Sequence, residues 1–173
     1  MKSRSQISPA RVVQGHRVAS GQNGNPRFPG GTLRMQIPCF LALGLDLRGL
    51  FIGTLNVSMA PLRYRVVKAK HTFRKVKWHP TEPAEDFSFF DVRVWRPDAP
   101  AVNGYIYFPH PETKPEHFQK PDVLELLLPL MEGVKYGAEL DIEIPATQMV
   151  IEPAIHQNGM MVAAQNPGAQ PFK

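Results

Sequence analysis

The chain of 173 residues carries a net charge of +5, with 43% hydrophobic residues, 18 prolines and one cysteine. It is long enough for one domain with a sizeable core, and its single thiol, Cys39, excludes an internal disulfide framework. No run reaches the ~20 apolar residues of a membrane helix and no secretory apolar stretch stands near the start, so a cytoplasmic protein is expected.

Charge is unevenly spread. Residues 1–81 hold 14 Lys and Arg and one acid, Asp46, near +13; residues 82–173 hold 6 and 14, near −8. A basic half attracts phosphates, nucleotides or nucleic acid, unless the two halves intermix in space and cancel.

Residues 1–10, MKSRSQISPA, read as a loose basic leader. RVVQGHRVAS reads as a strand, followed by the Gly/Asn/Pro loop GQNGNPRFPGG, and TLRMQI as an alternating strand. PCFLALGLDLRGL reads as a short helix with a loop, and Cys39 within it as an inert buried thiol. GTLNVSM is a strand. RYRVVKAKHTF and FRKVKWH alternate basic with apolar residues, as half-exposed strands do. In FSFFDVRVW, Phe90, Val92 and Val94 share one face; NGYIYFP follows a turn. KPDVLELLLPLM reads as the one convincing helix, with Asp122 in its first turn and Pro129 ending or kinking it. AELDIEI alternates as a closing strand, and the tail from about Glu152 lacks periodicity. Many short strands and one late helix predict a mainly β fold: a small closed barrel with one or two short helices. The barrel domain is expected over 11–152, between the leader 1–10 and a flexible tail 153–173.

Several groups carry chemical meaning. PHPETKPEHF offers His110, Glu112, Glu116 and His117, but the spacing matches no helical HExxH site and the prolines make it a loop. The basic strands from Arg63 to Lys77, with Tyr64, Phe73 and Trp78 nearby, suit single-stranded nucleic acid; strict alternation favours a solvated face with the aromatics turned inward. No GxxxxGK[ST] loop occurs. Thr54 and Asn56 stand two apart on a strand and so share a face. Neutral oxygens placed this way suit Mg²⁺, which needs few protein ligands beside substrate phosphates; on the residues alone a side-chain hydrogen-bond network is the preferred reading of the pair.

GTLNV, FFDVRVW, NGYIYFPHPET and DVLELLLPL followed by YGAELDIEI, in register from about Val12 to Ile144, resemble the CTP-dependent riboflavin kinases of archaea. That family shows a glycine-rich loop, a G-T-L-N strand, an F-F-x-V-x-V strand, a G-x-x-x-x-P segment leading to a Thr, an apolar helix E-I-I-E-I-I-A-P and a closing strand. The resemblance implies a six-stranded cradle-loop (RIFT-like) barrel that moves the γ-phosphoryl of CTP to the 5′-hydroxyl of riboflavin, giving FMN and CDP. It implies Mg²⁺ at Thr54 and Asn56, nucleotide contacts from Gly21, Gln22, Asn23, Gly24 and Arg27, and flavin contacts from Thr113 and Glu125, with Glu125 also catalytic. The chain departs from the family at Pro26 in the glycine loop and at Glu132, where the family places a basic residue. A non-catalytic barrel binding a flavin or nucleotide is the alternative, and a nucleic-acid-binding barrel a weaker one.

Overall fold

The alternation in FSFFDVRVW is realised as the longest strand of the molecule, and the rest of the fold is arranged around it. The computed structural model describes residues 4–16, 24–114, 116 and 119–154. Its elements are β1 (Ser5–Val13), α1 (Thr32–Ala42), β2 (Leu55–Ser58), β3 (Leu62–Val66), β4 (His71–Val76), β5 (Glu85–Arg96), β6 (Ala99–Pro109), β7 (Val123–Leu127), β8 (Glu139–Pro145) and β9 (Met149–Pro153).

Six antiparallel strands form a ring in the order β5, β6, β7, β2, β1, β8, and β8 returns to β5 through Arg93↔Glu143, Val94↔Ile142 and Trp95↔Asp141. This is the small closed β-barrel expected, and closure removes the open edges that a flat sheet would expose. The N-terminal half of β5 pairs instead with β4, which stands outside the ring. β3 and β9 form a separate two-stranded sheet.

Period-2 alternation divides the apolar residues into two cores. Val12, Val57, Phe90, Val92, Val94, Ile106, Leu124, Leu126, Ile142 and Ile144 fill the barrel. On the outer face, Phe87, Phe89, Tyr107 and Leu127 meet Leu33 and Phe40 of α1, with Trp78 beside them. Phe40 is fully buried and stands edge-on to both Phe87 and Phe89 at 5.1 and 5.0 Å. Gly104 lets β7 approach: a Cβ there would lie 2.1 Å from the Leu127 carbonyl oxygen.

One expected strand and one expected helix exchange places, while the short helix with a loop expected in PCFLALGLDLRGL is realised in part. TLRMQI belongs to α1, not to a strand. Leu33, Gln36 and Phe40 recur at helical spacing and are buried against the outer barrel face. A six-residue alternation does not reveal that face. PCFLALGLDLRGL then divides into the end of α1 and a loop, with Cys39 half-buried. VLELL is β7, not a helix. Val123, Leu124, Leu126 and Leu127 are all buried because one face of β7 looks into the barrel and the other toward the outer core. A strand buried on both faces loses its alternation and reads like a buried helix.

Ser5–Ala10 is not a loose leader either: it pairs with β8 from Ser5↔Pro145 to Arg11↔Glu139. Pro9 is tolerated because β2 pairs only with Arg11–Val13, leaving β1 one open edge there. The charge asymmetry resolves as intermixing. Acids of the second half pair with bases of the first in Arg11–Glu139, Arg27–Glu82, Arg63–Glu152, Lys70–Asp91 and Arg74–Asp86. No helix among the described residues is long and apolar enough to cross a membrane.

Candidate functional site

Ladder pairing places Asn56 of β2 opposite Glu125 of β7, and Glu125 opposite Tyr107 of β6. Directly paired residues present side chains to one face, so these three form a row across the barrel wall. Their neighbours Val57, Leu124, Leu126 and Ile106 point inward to the barrel core. The row is therefore on the outside of the barrel, in the layer that α1 partly covers: the Tyr107 hydroxyl donates to Gln36 Oε1 at 2.7 Å.

Thr54, just before β2, donates its hydroxyl to Asn56 Oδ1 at 3.1 Å. The pair expected to hold Mg²⁺ thus lies together beside Glu125. The two oxygens are hydrogen-bonded to each other, and both would face a divalent ion only once the Thr54 hydrogen turned away. Asn56 is 4% exposed and its Nδ2 has no hydrogen-bond partner among the described residues. Gly15 lies directly on the carboxamide: a Cβ there would sit 2.5 Å from Nδ2 and 2.8 Å from Oδ1. Half-buried Thr54 borders an apolar cavity of about 170 Å³ with Phe51, Leu130 and Met131.

Beyond the Tyr107–Glu125 pair, β6 and β7 part, and a cavity of about 200 Å³ opens between them. Tyr64, Phe108, Pro109, Pro111, Val123 and Leu124 give it an apolar wall that includes two aromatic rings; Lys114, Gln119 and Glu125 supply its polar groups. Tyr64 and Phe108 stand edge to face at 6.2 Å. Gln119 Nε2 donates to Glu125 Oε1 at 3.0 Å. Burial pushes the Glu125 pKa above the ordinary glutamate value, while the charges of Lys114 and His16 and the amides of Gln119 and Asn56 partly oppose the shift. The Asn56 influence is one of proximity, since its Nδ2 makes no bond of ordinary geometry. A half-buried carboxyl that loses its proton reluctantly and regains it readily suits an acceptor of a hydroxyl proton.

The other expected residues are differently placed. The Thr113 hydroxyl accepts from the Asp86 amide at 2.8 Å and lies 3.3 Å from the His110 carbonyl, to which it donates. It pins the turn after β6, its proton is committed to the His110 carbonyl, and one acceptor site of the hydroxyl is left. The Arg27 guanidinium pairs with Glu82 at 3.3 Å and with Glu116, and lies over the Phe28 ring. Gly24 adopts the left-handed conformation, φ 68°. Gly21, Gln22 and Asn23 lie outside the described residues. His110 Nε2 is 2.7 Å from the hydroxyl of buried Ser88, a contact that anchors the loop. Among the described residues no three His, Cys, Asp or Glu side chains converge; His117 lies outside them.

Sequence reasoning missed Tyr107, Lys114, Gln119 and Glu85, and weighed Tyr64 only as an aromatic of the basic strands. Glu85 accepts from the Trp78 indole at 2.7 Å and is 6% exposed. The alternation of YIYFP could have put Tyr107 on a face; only the pairing register says which residues share it. No protein-family model matches this chain, and no curated protein is significantly similar to it.

Proposed function

We propose that the protein is a riboflavin kinase-like phosphotransferase, moving the γ-phosphoryl of a nucleoside triphosphate, CTP by resemblance, to the 5′-hydroxyl of riboflavin. The observation that carries this reading is the meeting of three features: the Thr54–Asn56 oxygen pair, the Glu125 carboxyl beside it, and the aromatic-walled cavity that Glu125 lines. Tyr64, Phe108 and the prolines suit the flat apolar face of an aromatic ring system. A cavity of about 200 Å³ encloses part of such a ligand and leaves its polar chain toward Glu125. Glu125 accepts the hydroxyl proton as the new O–P bond forms and the bond to the departing nucleoside diphosphate breaks. Thr54 and Asn56 would hold Mg²⁺, which would supply charge neutralisation for the phosphates. Gly15, by sitting on the Asn56 carboxamide, keeps its orientation fixed.

A second reading, a non-catalytic flavin-binding barrel, is favoured by two observations. Arg27 is already neutralised by two carboxylates, and Asn56 is covered. Incubation with riboflavin, Mg²⁺ and each of CTP, ATP, GTP and UTP separates the readings. FMN should form with one of them, and Glu125→Gln should lower kcat by roughly 10²–10⁴-fold. Riboflavin binding without turnover on any triphosphate selects the second reading. Absence of riboflavin binding removes both.

A further inference from the structure

Most cations in the molecule's clefts are already matched. Arg27, Arg63, Arg65, Lys70, Arg74 and Arg93 each face a carboxylate. Lys114 differs. It is half-buried on the wall of the aromatic cavity, and among the described residues its ammonium makes no ion pair or hydrogen bond. Its backbone is held rigidly: the Lys114 amide donates to the His110 carbonyl at 3.0 Å, and the neighbouring Thr113 hydroxyl is pinned to Asp86.

The two carboxyls whose ionisation Lys114 favours, Glu125 and Glu85, each have a neutral donor of their own, Gln119 and Trp78. Neither consumes the ammonium. Among the described residues, Lys114 is the one lysine or arginine that lines this cavity. Lys114 and Glu125 line the same cavity with no hydrogen bond between them among the described residues, and a phosphate oxygen is a partner whose chemistry matches an ammonium placed there.

We propose that Lys114 contacts the phosphoryl group carried by the ligand of this cavity, and so makes the site prefer a phosphorylated flavin over the free one. This rests on the flavin reading above and extends it. During transfer the same ammonium neutralises charge on the moving phosphoryl group.

Flavin fluorescence quenching tests it by giving dissociation constants for riboflavin and FMN with wild type, Lys114→Met and Lys114→Arg. Lys114→Met should weaken FMN by about tenfold or more, as loss of a charged hydrogen bond does, and leave riboflavin nearly unchanged. Lys114→Arg should retain most of the preference. Equal effects on both flavins, or none, overturn the assignment. Should neither flavin bind wild type, the flavin reading fails, and inorganic pyrophosphate then decides Lys114 separately. Phosphorus-31 line broadening present in wild type and lost in Lys114→Met upholds the contact. Broadening that is the same in both proteins, or absent from wild type, overturns it.

Discussion

Gly15→Ala should disturb the site through one side chain, and a double-mutant cycle isolates that effect. The added Cβ would fall 2.5, 2.7 and 2.8 Å from Nδ2, Cγ and Oδ1 of Asn56, well inside van der Waals contact. Asn56 is 4% exposed on a strand paired on both sides, so its carboxamide has little room to retreat. Overpacking of this kind costs about 1–3 kcal/mol. Replacing glycine also stabilises by about 0.4–1 kcal/mol through the unfolded chain, but that gain is common to both backgrounds and cancels in the cycle. Asn56→Ala removes the obstructing atoms. It forfeits the Thr54 hydrogen bond and also removes a buried donor that has no partner among the described residues, so its own cost should be small. Gly15→Ala should then be slightly stabilising in the Asn56→Ala background, giving a coupling of about 1–3 kcal/mol. Urea unfolding of the four proteins measures it. An equal cost of Gly15→Ala in both backgrounds would refute the packing of Gly15 on Asn56, and with it the fixed carboxamide that the proposed metal pair needs.

Lys75 is exposed yet has φ 53° within the β4–β5 irregularity, where its amide donates to Asp86 Oδ1 at 2.8 Å. Lys75→Gly keeps that bond, relieves the backbone and should stabilise by about 0.5–1 kcal/mol, whereas Lys75→Val should destabilise by about 1–2 kcal/mol. A loss of stability with glycine in urea unfolding would contradict the strain. Burial raises the Glu85 pKa above 4.5, outweighing the Trp78 hydrogen bond and the Lys114 charge. The stability such an acid contributes is full below its unfolded pKa and is lost as pH rises through the folded value. Glu85→Gln keeps an acceptor for Trp78, so the variant should gain on wild type as pH rises through that window. A stability difference that stays flat with pH would show that Glu85 is not desolvated.

The proposed site could be located only in part from the chain. Thr54 and Asn56 announce themselves by spacing, since two polar residues at i and i+2 of a strand must share a face. Their neighbour Glu125 was reachable only by resemblance, because in VLELL every other residue is apolar and periodicity vanishes. Thr113 also came only by resemblance, and the chain gave no sign that its hydroxyl bonds the Asp86 amide and the His110 carbonyl.

What the amino-acid order determined was local. Alternation in FSFFDVRVW, RYRVV and AELDIEI set strands and their inward faces, because burial on one side of a pleat leaves a period of two. Tertiary structure alone decided that TLRMQIPCFLA coils, that VLELL extends, and that Asn56, Glu125 and Tyr107 stand in one row. Each of those outcomes depends on which surface a segment packs against and in what register. Both are set by contacts between residues far apart in the chain, and no window of neighbouring residues contains them.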